Sequence, residues 1–316
     1  MVIMSLRRVL RRVPYLRSLY RWAKVAPHAL KQGVYPAGHF YSPIPDPADV
    51  EARLNSAAQM PEELPGIPLY PERQRDLLKH YAQYSKDLPF AEHPTPQFRY
   101  YYENDFFSYA DAIFLYCFLR HHQPRRVVEI GSGFSSAVML DTADRFLSPS
   151  PQFTFIEPYP ERLNSLLRPE DSQRVRIIEK PLQQAPIEVI GELEAGDLLF
   201  IDSSHVVKFG SDVQLIFYEI LPRLRPGVYV HFHDVFYPFE YPAHWLREGR
   251  YWNEDYFLRV FLYGNALWSI YFFNHFVWLR FRDFLQEHMP LCLRNPGGSL
   301  YLIRENAEWP PARKPS

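Results

Sequence analysis

Five short apolar runs, at residues 126–130, 153–157, 174–178, 197–201 and 228–232, alternate with stretches of helical character. No other feature constrains the fold as much. Most of the runs are too uniformly apolar to have a solvated face, as expected for strands covered on both sides. Strand–helix repetition of this kind predicts a doubly wound, mostly parallel α/β sheet. Two further strands are expected near 267–273 and 299–304, for seven in all. Helices are expected within 71–88, over 108–122 and from about Asn253. Ser108 and Asp111 are placed like a capping box with Asp in place of the usual Glu. The 47% apolar content supports a sizeable core.

Three domains follow: an extension over 1–98, the regular α/β body over 99–305 and a tail over 306–316. Prolines crowd the extension, in "YSPIPDP", "LPGIPLYP" and "EHPTPQF", and favour extended or turn segments. Charge is unevenly spread. Residues 1–45 hold eight Lys/Arg and no Asp or Glu, which leaves 27 basic against 36 acidic residues in the remainder. An acidic body is a poor nucleic-acid binder. Ile3, Leu6, Leu10 and Val13 share a helical face opposite arginines. Residues 1–24 are therefore a candidate contact with an anionic inner membrane surface. The alternative is a solvated helix packed on the body or on a partner.

Two cysteines, Cys117 and Cys292, form no disulfide framework or zinc site, so a reducing, cytoplasmic setting is expected. No uninterrupted apolar stretch at the N-terminus reads as a signal peptide. The run between Arg259 and Arg280 has the length of a membrane span. Gly264-Asn265 and Asn274-His275 interrupt it, and helix end, turn and buried strand are expected there instead.

In a doubly wound sheet, ligands bind at the carboxyl ends of the strands. The first strand ends in "EIGSGFSS". Gly131 and Gly133 let backbone approach a ligand, with Ser132 between them and Glu129 two residues before the first glycine. The second ends at Glu157, where a carboxylate can accept both hydroxyls of a ribose. After the third, Gln183 is placed to flank a base. The fourth ends in "FIDSSH", offering Asp202, Ser203 and His205. The fifth ends in "VYVHFHD", with His231 and His233 on one face and Asp234 beyond.

This ordered set, "EIGSG", "FID…H" and "HD", resembles the class I S-adenosylmethionine-dependent methyltransferases, of the family 24-type small-molecule methyltransferase domain. The likeness covers about residues 100–305. It implies a Rossmann-like methyltransferase sheet and S-adenosylmethionine as cofactor, and it places Glu129 to Gly133 at the methionine end, Glu157 at the ribose and Asp202 near the transferred methyl. Phe134-Ser135 stand where a third glycine is often found. No Asn/Asp-Pro-Pro-Tyr/Phe segment is present, which counts against amino methylation of nucleobases or glutamine.

The expected reaction is O-methylation of a small molecule or sugar, with His205, His233 and Asp234 as catalytic groups. An imidazole titrating near 6.5 can take the hydroxyl proton. Alternatively Asp202, His233 and Asp234 hold a divalent cation such as magnesium, although a histidine at the second position weakens that set. The aromatic segment 236–256 is either an acceptor wall or packing. Competing readings are a nicotinamide-dinucleotide oxidoreductase, a non-catalytic scaffold and a hydroxylase-like relative. The acceptor and the oligomeric state are not encoded legibly.

Overall fold

The computed structural model describes residues 34–56 and 60–306. The expected basic helix of residues 1–24 and nearly all of the tail lie outside these residues. The described chain forms two compact units. The smaller unites residues from the first segment with Ala243–Tyr251. It contains α1 (Pro47–Asn55), capped by Asp46, whose Oδ1 accepts the amide of Ala48 at 2.7 Å.

The larger unit takes in the rest from Met60 onward. Its elements in chain order are α2 (Pro71–Tyr84), α3 (Ala110–His122), β1 (Arg126–Ile130), α4 (Phe134–Phe146), β2 (Gln152–Ile156), α5 (Glu161–Leu166), β3 (Val175–Ile178) and α6 (Glu188–Gly191). There follow β4 (Leu198–Ile201), α7 (Asp212–Leu215), β5 (Tyr229–His233), α8 (Ala243–Arg247, in the smaller unit), α9 (Glu254–Leu262), β6 (Trp268–Phe273), α10 (Asn274–Arg280), α11 (Arg282–His288) and β7 (Ser299–Arg304).

The seven strands lie in the order β3-β2-β1-β4-β5-β7-β6. The pairs among β1 to β5 are parallel, and β7 runs antiparallel to both β5 and β6. The chain moves outward from β1 to β3, then returns to β4 on the other side of β1. Right-handed crossovers therefore put the two sets of connections on opposite faces and open a crevice between the ends of β1 and β4.

All four residues of β4 and the last four of β1 are buried, as their apolar runs require. Residues 110–119 of α3 are buried on every side, so its apolar character runs all round rather than along one stripe. Ser108 does not cap it. Tyr109 holds the N-cap position without a side-chain bond. Asp111 instead accepts from Asn274 Nδ2 (3.0 Å), Gly298 N (3.0 Å) and Ser299 Oγ (2.5 Å), pinning the start of β7 to the helix. The run between Arg259 and Arg280 ends α9, turns at Gly264 and enters β6, then α10. No helix among the described residues is long and apolar enough to cross a membrane.

Arg99 clamps the segment before α3 to the sheet's helical cover. Its guanidinium, 1% exposed, donates to Asp141 and Asp144 of α4 at 2.7 Å and bidentately to Asp171. Asp141 Oδ2 also accepts the amides of Arg99 and Tyr100. Removing one member of a buried ionic network leaves the remaining charge uncompensated. Asp141→Ala should lower unfolding free energy by about 3–5 kcal/mol. Arg125→Ala, whose pairing with Glu194 is exposed, should cost about 0–1 kcal/mol. Urea midpoints of the two variants check the contrast.

Candidate active site at the carboxyl ends of the strands

The β1 turn and the end of β4 touch. Gly131 has φ +77°, and a Cβ on it would lie 2.0 Å from the carbonyl oxygen of Asp202. The amide of Asp202 in turn donates to Ile130 O at 2.8 Å. No other residue type fits there without displacing one backbone from the other.

The turn is braced from two sides. Glu129 is fully buried, and its carboxylate accepts the hydroxyls of Ser135 (2.5 Å) and Ser136 at the start of α4. Ser136 Oγ also accepts the amide of Gly133 at 3.0 Å. Glu129 thus shapes the turn from beneath rather than facing the cleft. Glu157, at the end of β2, accepts the amide of Ser132 with one oxygen (2.9 Å) and that of Tyr159 with the other (2.8 Å). Its orientation is fixed, and each oxygen keeps acceptor capacity.

Between these groups lies a cleft of about 380 Å³. Gly131, Glu157, Leu182, Gln183, Asp202 and Lys208 line it. The Gln183 amide nitrogen donates to Gly210 O at 3.0 Å, fastening the far wall to the loop after β4. Ser132 Oγ is buried without a partner among the described residues.

The charged groups gather at the other end. His205, 5% exposed and at φ +58°, follows β4. Its Nδ1 donates to Glu254 Oε2 at 2.9 Å, and its Nε2 faces Asp202 Oδ1 at 3.3 Å and Asp234 Oδ2 at 3.6 Å. Ser203 Oγ donates to Glu254 and accepts the His205 amide. The amides of Asn253 and Glu254, opening α9, donate to the His205 carbonyl. The ring of Trp252 lies 4.4 Å from that of His205.

His233 stands on β5 with Nε2 3.5 Å from Asp234 Oδ1, Phe107 at 5.0 Å and Nδ1 without a hydrogen-bond partner among the described residues. His231 lies on the same face, 6.1 Å away, stacked on Phe200. Neither of its ring nitrogens has a partner among the described residues, and burial holds it neutral.

Burial disfavours a charge on His205, yet the hydrogen bonds to Asp202 and Glu254 outweigh it and raise its pKa well above the ordinary value. His233 is raised too: burial opposes the charge, but the carboxylates of Asp234, Asp202 and Asp111 prevail. For Asp202, burial is outweighed by His205 and the charges around it, and its carboxyl is held low. For Asp234, burial wins over the two histidines and raises it. Both imidazoles therefore hold a proton more readily than an unperturbed imidazole does.

The three groups whose ligand atoms converge within 4.8 Å are Asp202, His205 and Asp234. The sequence pointed to Asp202 and Asp234 with His233. His205 takes that place in the convergent set because its loop folds back over β5. Glu254 was not anticipated as a site residue. An acid at a predicted helix start reads only as a complement to the helix dipole.

A family profile described as "Methyltransferase domain" matches residues 128–235, from β1 through the end of β5. An uncharacterized protein of Archaeoglobus fulgidus is 32% identical over 168 residues, 51% of this chain and 74% of that one. Among solved structures, the apo form of CmcI-N160 aligns at a TM-score of 0.41 with 13% identity, over 79% of this chain and 88% of that one. The O-methyltransferase TomG of Streptomyces achromogenes, solved with S-adenosylmethionine, aligns at 0.37 with 18% identity, over 82% and 96%. Residues 128–235 thus form a methyltransferase domain of the class I S-adenosylmethionine-dependent type. The dinucleotide alternative finds no support.

Burial raises the Glu129 carboxyl to about 8 against the pull of the Ser135 and Ser136 hydroxyls. A carboxyl whose folded pKa exceeds its unfolded value binds more protons when folded between the two. Stability is therefore present below the ordinary carboxylate range and is lost as pH rises to about 8. The melting temperature of the wild type should fall through that window relative to Glu129→Gln. A constant difference between the two would exclude this ionisation.

Proposed function

We propose that this methyltransferase transfers the methyl group to an oxygen of a small-molecule acceptor, at a site formed by Asp202, His205 and Asp234. The observation that carries this reading is the convergence of those three groups beside the cleft that ends at Glu157. The cleft suits the cofactor. Glu157 is set for the ribose, Gly131 leaves its backbone open, and Ser132 Oγ is an unsatisfied polar atom at the turn. Gln183 stands at the base end. The cofactor supplies an electrophilic methyl on a sulfonium. The chain supplies alignment, which can account for much of the rate, and removal of the acceptor's proton.

Asp234 is the group suited to receive that proton, since burial raises its proton affinity and two histidines stabilise its charge. The donor set also fits a divalent cation. Glu254 on Nδ1 leaves Nε2 of His205 directed at Asp202 and Asp234, the outer-sphere arrangement usual for a metal-bound histidine. A cation there would lower the pKa of an acceptor hydroxyl.

Calorimetric titration tests both parts. S-adenosylhomocysteine should bind the wild type, and Glu157→Ala should weaken it at least about tenfold, as expected for lost charge-assisted hydrogen bonds. Magnesium titrated into the loaded protein should bind, lose its site in Asp202→Asn and His205→Ala, and keep it in His233→Ala. A wild type that binds the nucleoside but no magnesium would leave proton removal to the side chains alone.

A second reading concerns the smaller unit. Tyr35, His39, Phe40 and Tyr41 form an exposed cluster, with His39 stacked on Tyr35 (4.5 Å) and on Phe40 (4.4 Å). Phe40 is 81% and Val34 87% exposed. Exposed aromatic side chains that follow a cationic segment in the sequence favour an anionic lipid interface, and residues 1–24 supply seven of the eight basic groups of residues 1–45. The protein should float with vesicles containing phosphatidylserine and not with neutral ones. Phe40→Ser with Tyr41→Ser should weaken flotation, and unchanged flotation would exclude the cluster as the contact.

A further inference from the structure

α9 buries Leu258 and Leu262 and leaves an apolar face outside. Tyr256, Val260 and the C-cap Tyr263, at spacings of four and three, share one stripe of that face, and Phe257 flanks it. They are 39%, 76%, 68% and 41% exposed in that order. Half-buried Phe261 and Phe217 extend the patch: the ring of Phe217 lies 6.2 Å from that of Phe257 and 5.5 Å from that of Phe261. Single exposed apolar side chains are ordinary on a soluble surface, but a contiguous patch marks a contact. With a whole aromatic side chain at about 200 Å², the exposed parts of the four residues come to about 400 Å². A standard interface takes about 800 Å² from each partner, of which about 450 Å² is apolar. The patch is therefore of the size that one side of such an interface needs.

We propose that this face pairs with the same face of a second copy of the chain, across a two-fold axis near Val260, with the two α9 helices antiparallel. The four exposed side chains carry no charge, so the patch does not repel its own copy. Its rim holds one charge of each sign: Glu240 beside the Tyr256 hydroxyl, and Arg259, whose Nη1 donates to Pro238 O at 3.3 Å. A surface that holds both signs can be complementary to its own two-fold copy. An anionic bilayer asks instead for several basic groups along the rim of such a helix. α9 opens on Glu254, which bonds to Ser203 and His205. The pairing thus steadies the helix from which the charged cluster is braced.

Sedimentation velocity of the full chain tests the pairing. The wild type should run at twice the chain mass at micromolar concentration, and its melting temperature should rise with protein concentration, as for a folded dimer. Val260→Asp and Val260→Lys each set like charges against one another at the axis. In either variant the dissociation constant of the dimer should rise at least about 100-fold. An equimolar mixture of the two should recover the dimer, because opposite charges then meet. Val260 is exposed, so both variants should keep the far-ultraviolet circular dichroism of the wild type. Val260→Ala, which adds no charge, should fold and lose far less pairing than either. A wild type that sediments as a monomer throughout, a dimer that survives both charged variants, or a mixture that stays monomeric would overturn the proposal. So would a monomer whose flotation with anionic vesicles is lost in Val260→Asp, since the face would then meet lipid.

Discussion

The contact between Gly131 and the carbonyl of Asp202 joins the two halves of the sheet at the place where the strand order reverses. Neighbouring strands that diverge into opposite crossovers leave a crevice at their carboxyl ends. Here the crevice is kept narrow at its floor because nothing larger than hydrogen separates the two backbones. The groups on either side then take fixed positions. On the β1 side, the amide of Ser132 holds Glu157. On the β4 side, the chain leaves Asp202 and turns through Ser203 to His205, whose left-handed backbone brings the ring back over β5. A side chain at position 131 would push these two sets apart together.

Charge balance is the second constraint. Asp202, Asp234 and Glu254 surround one imidazole. Carboxylates gathered in a poorly hydrated site do not stay ionised without a compensating cation. A second proton on His205 supplies one. A divalent cation held by Asp202, His205 and Asp234 would supply more charge in place of that proton. Glu254 would serve both states, since its bond to Nδ1 keeps Nε2 directed at the two aspartates. Two non-glycine residues of this cluster, His205 and Asp234, have φ near +58°. Backbone of that kind persists only where surrounding bonds hold it, and such positions concentrate at functional sites. The amides of Asn253 and Glu254 on the His205 carbonyl, and the Ser203 hydroxyl on its amide, provide the hold.

The strands were legible to within one residue because most are apolar runs bounded by turn residues, and the central ones, β1 and β4, are buried on both faces. The ends of β1, β2, β4 and β5 were legible as a site for the same reason: a polar residue directly after such a run has to sit at the sheet's edge. What the pattern does not carry is direction. Glu129 reads like a ligand group because it precedes the glycines, yet it turns inward to two serines of α4. Asp111 reads like a cap for its own helix, yet it bonds to residues 163 and more positions away. Glu254 lies 49 residues from His205, and only the return of α9 across the end of β4 brings them together. Which histidine of two joins the aspartates depends on a loop conformation that no periodicity encodes.

Within the larger unit, two sets of aromatic residues serve distinct physical tasks. One set, including Tyr81, Phe114, Phe118, Phe272 and Tyr301, fills the layer between α3 and the strands β6 and β7, where ring–ring contacts replace aliphatic packing. The other lies against charged groups, Trp252 on His205 and Phe107 on His233. Rings in these positions exclude water without offering a competing charge. The interactions among the aspartates and the histidines then operate at a lower effective dielectric than at an open surface. Displacement at a sulfonium needs little covalent help from a protein. It needs a fixed line between donor and acceptor and few waters that could take the acceptor's place. Rigid rings against a braced set of charges meet both needs.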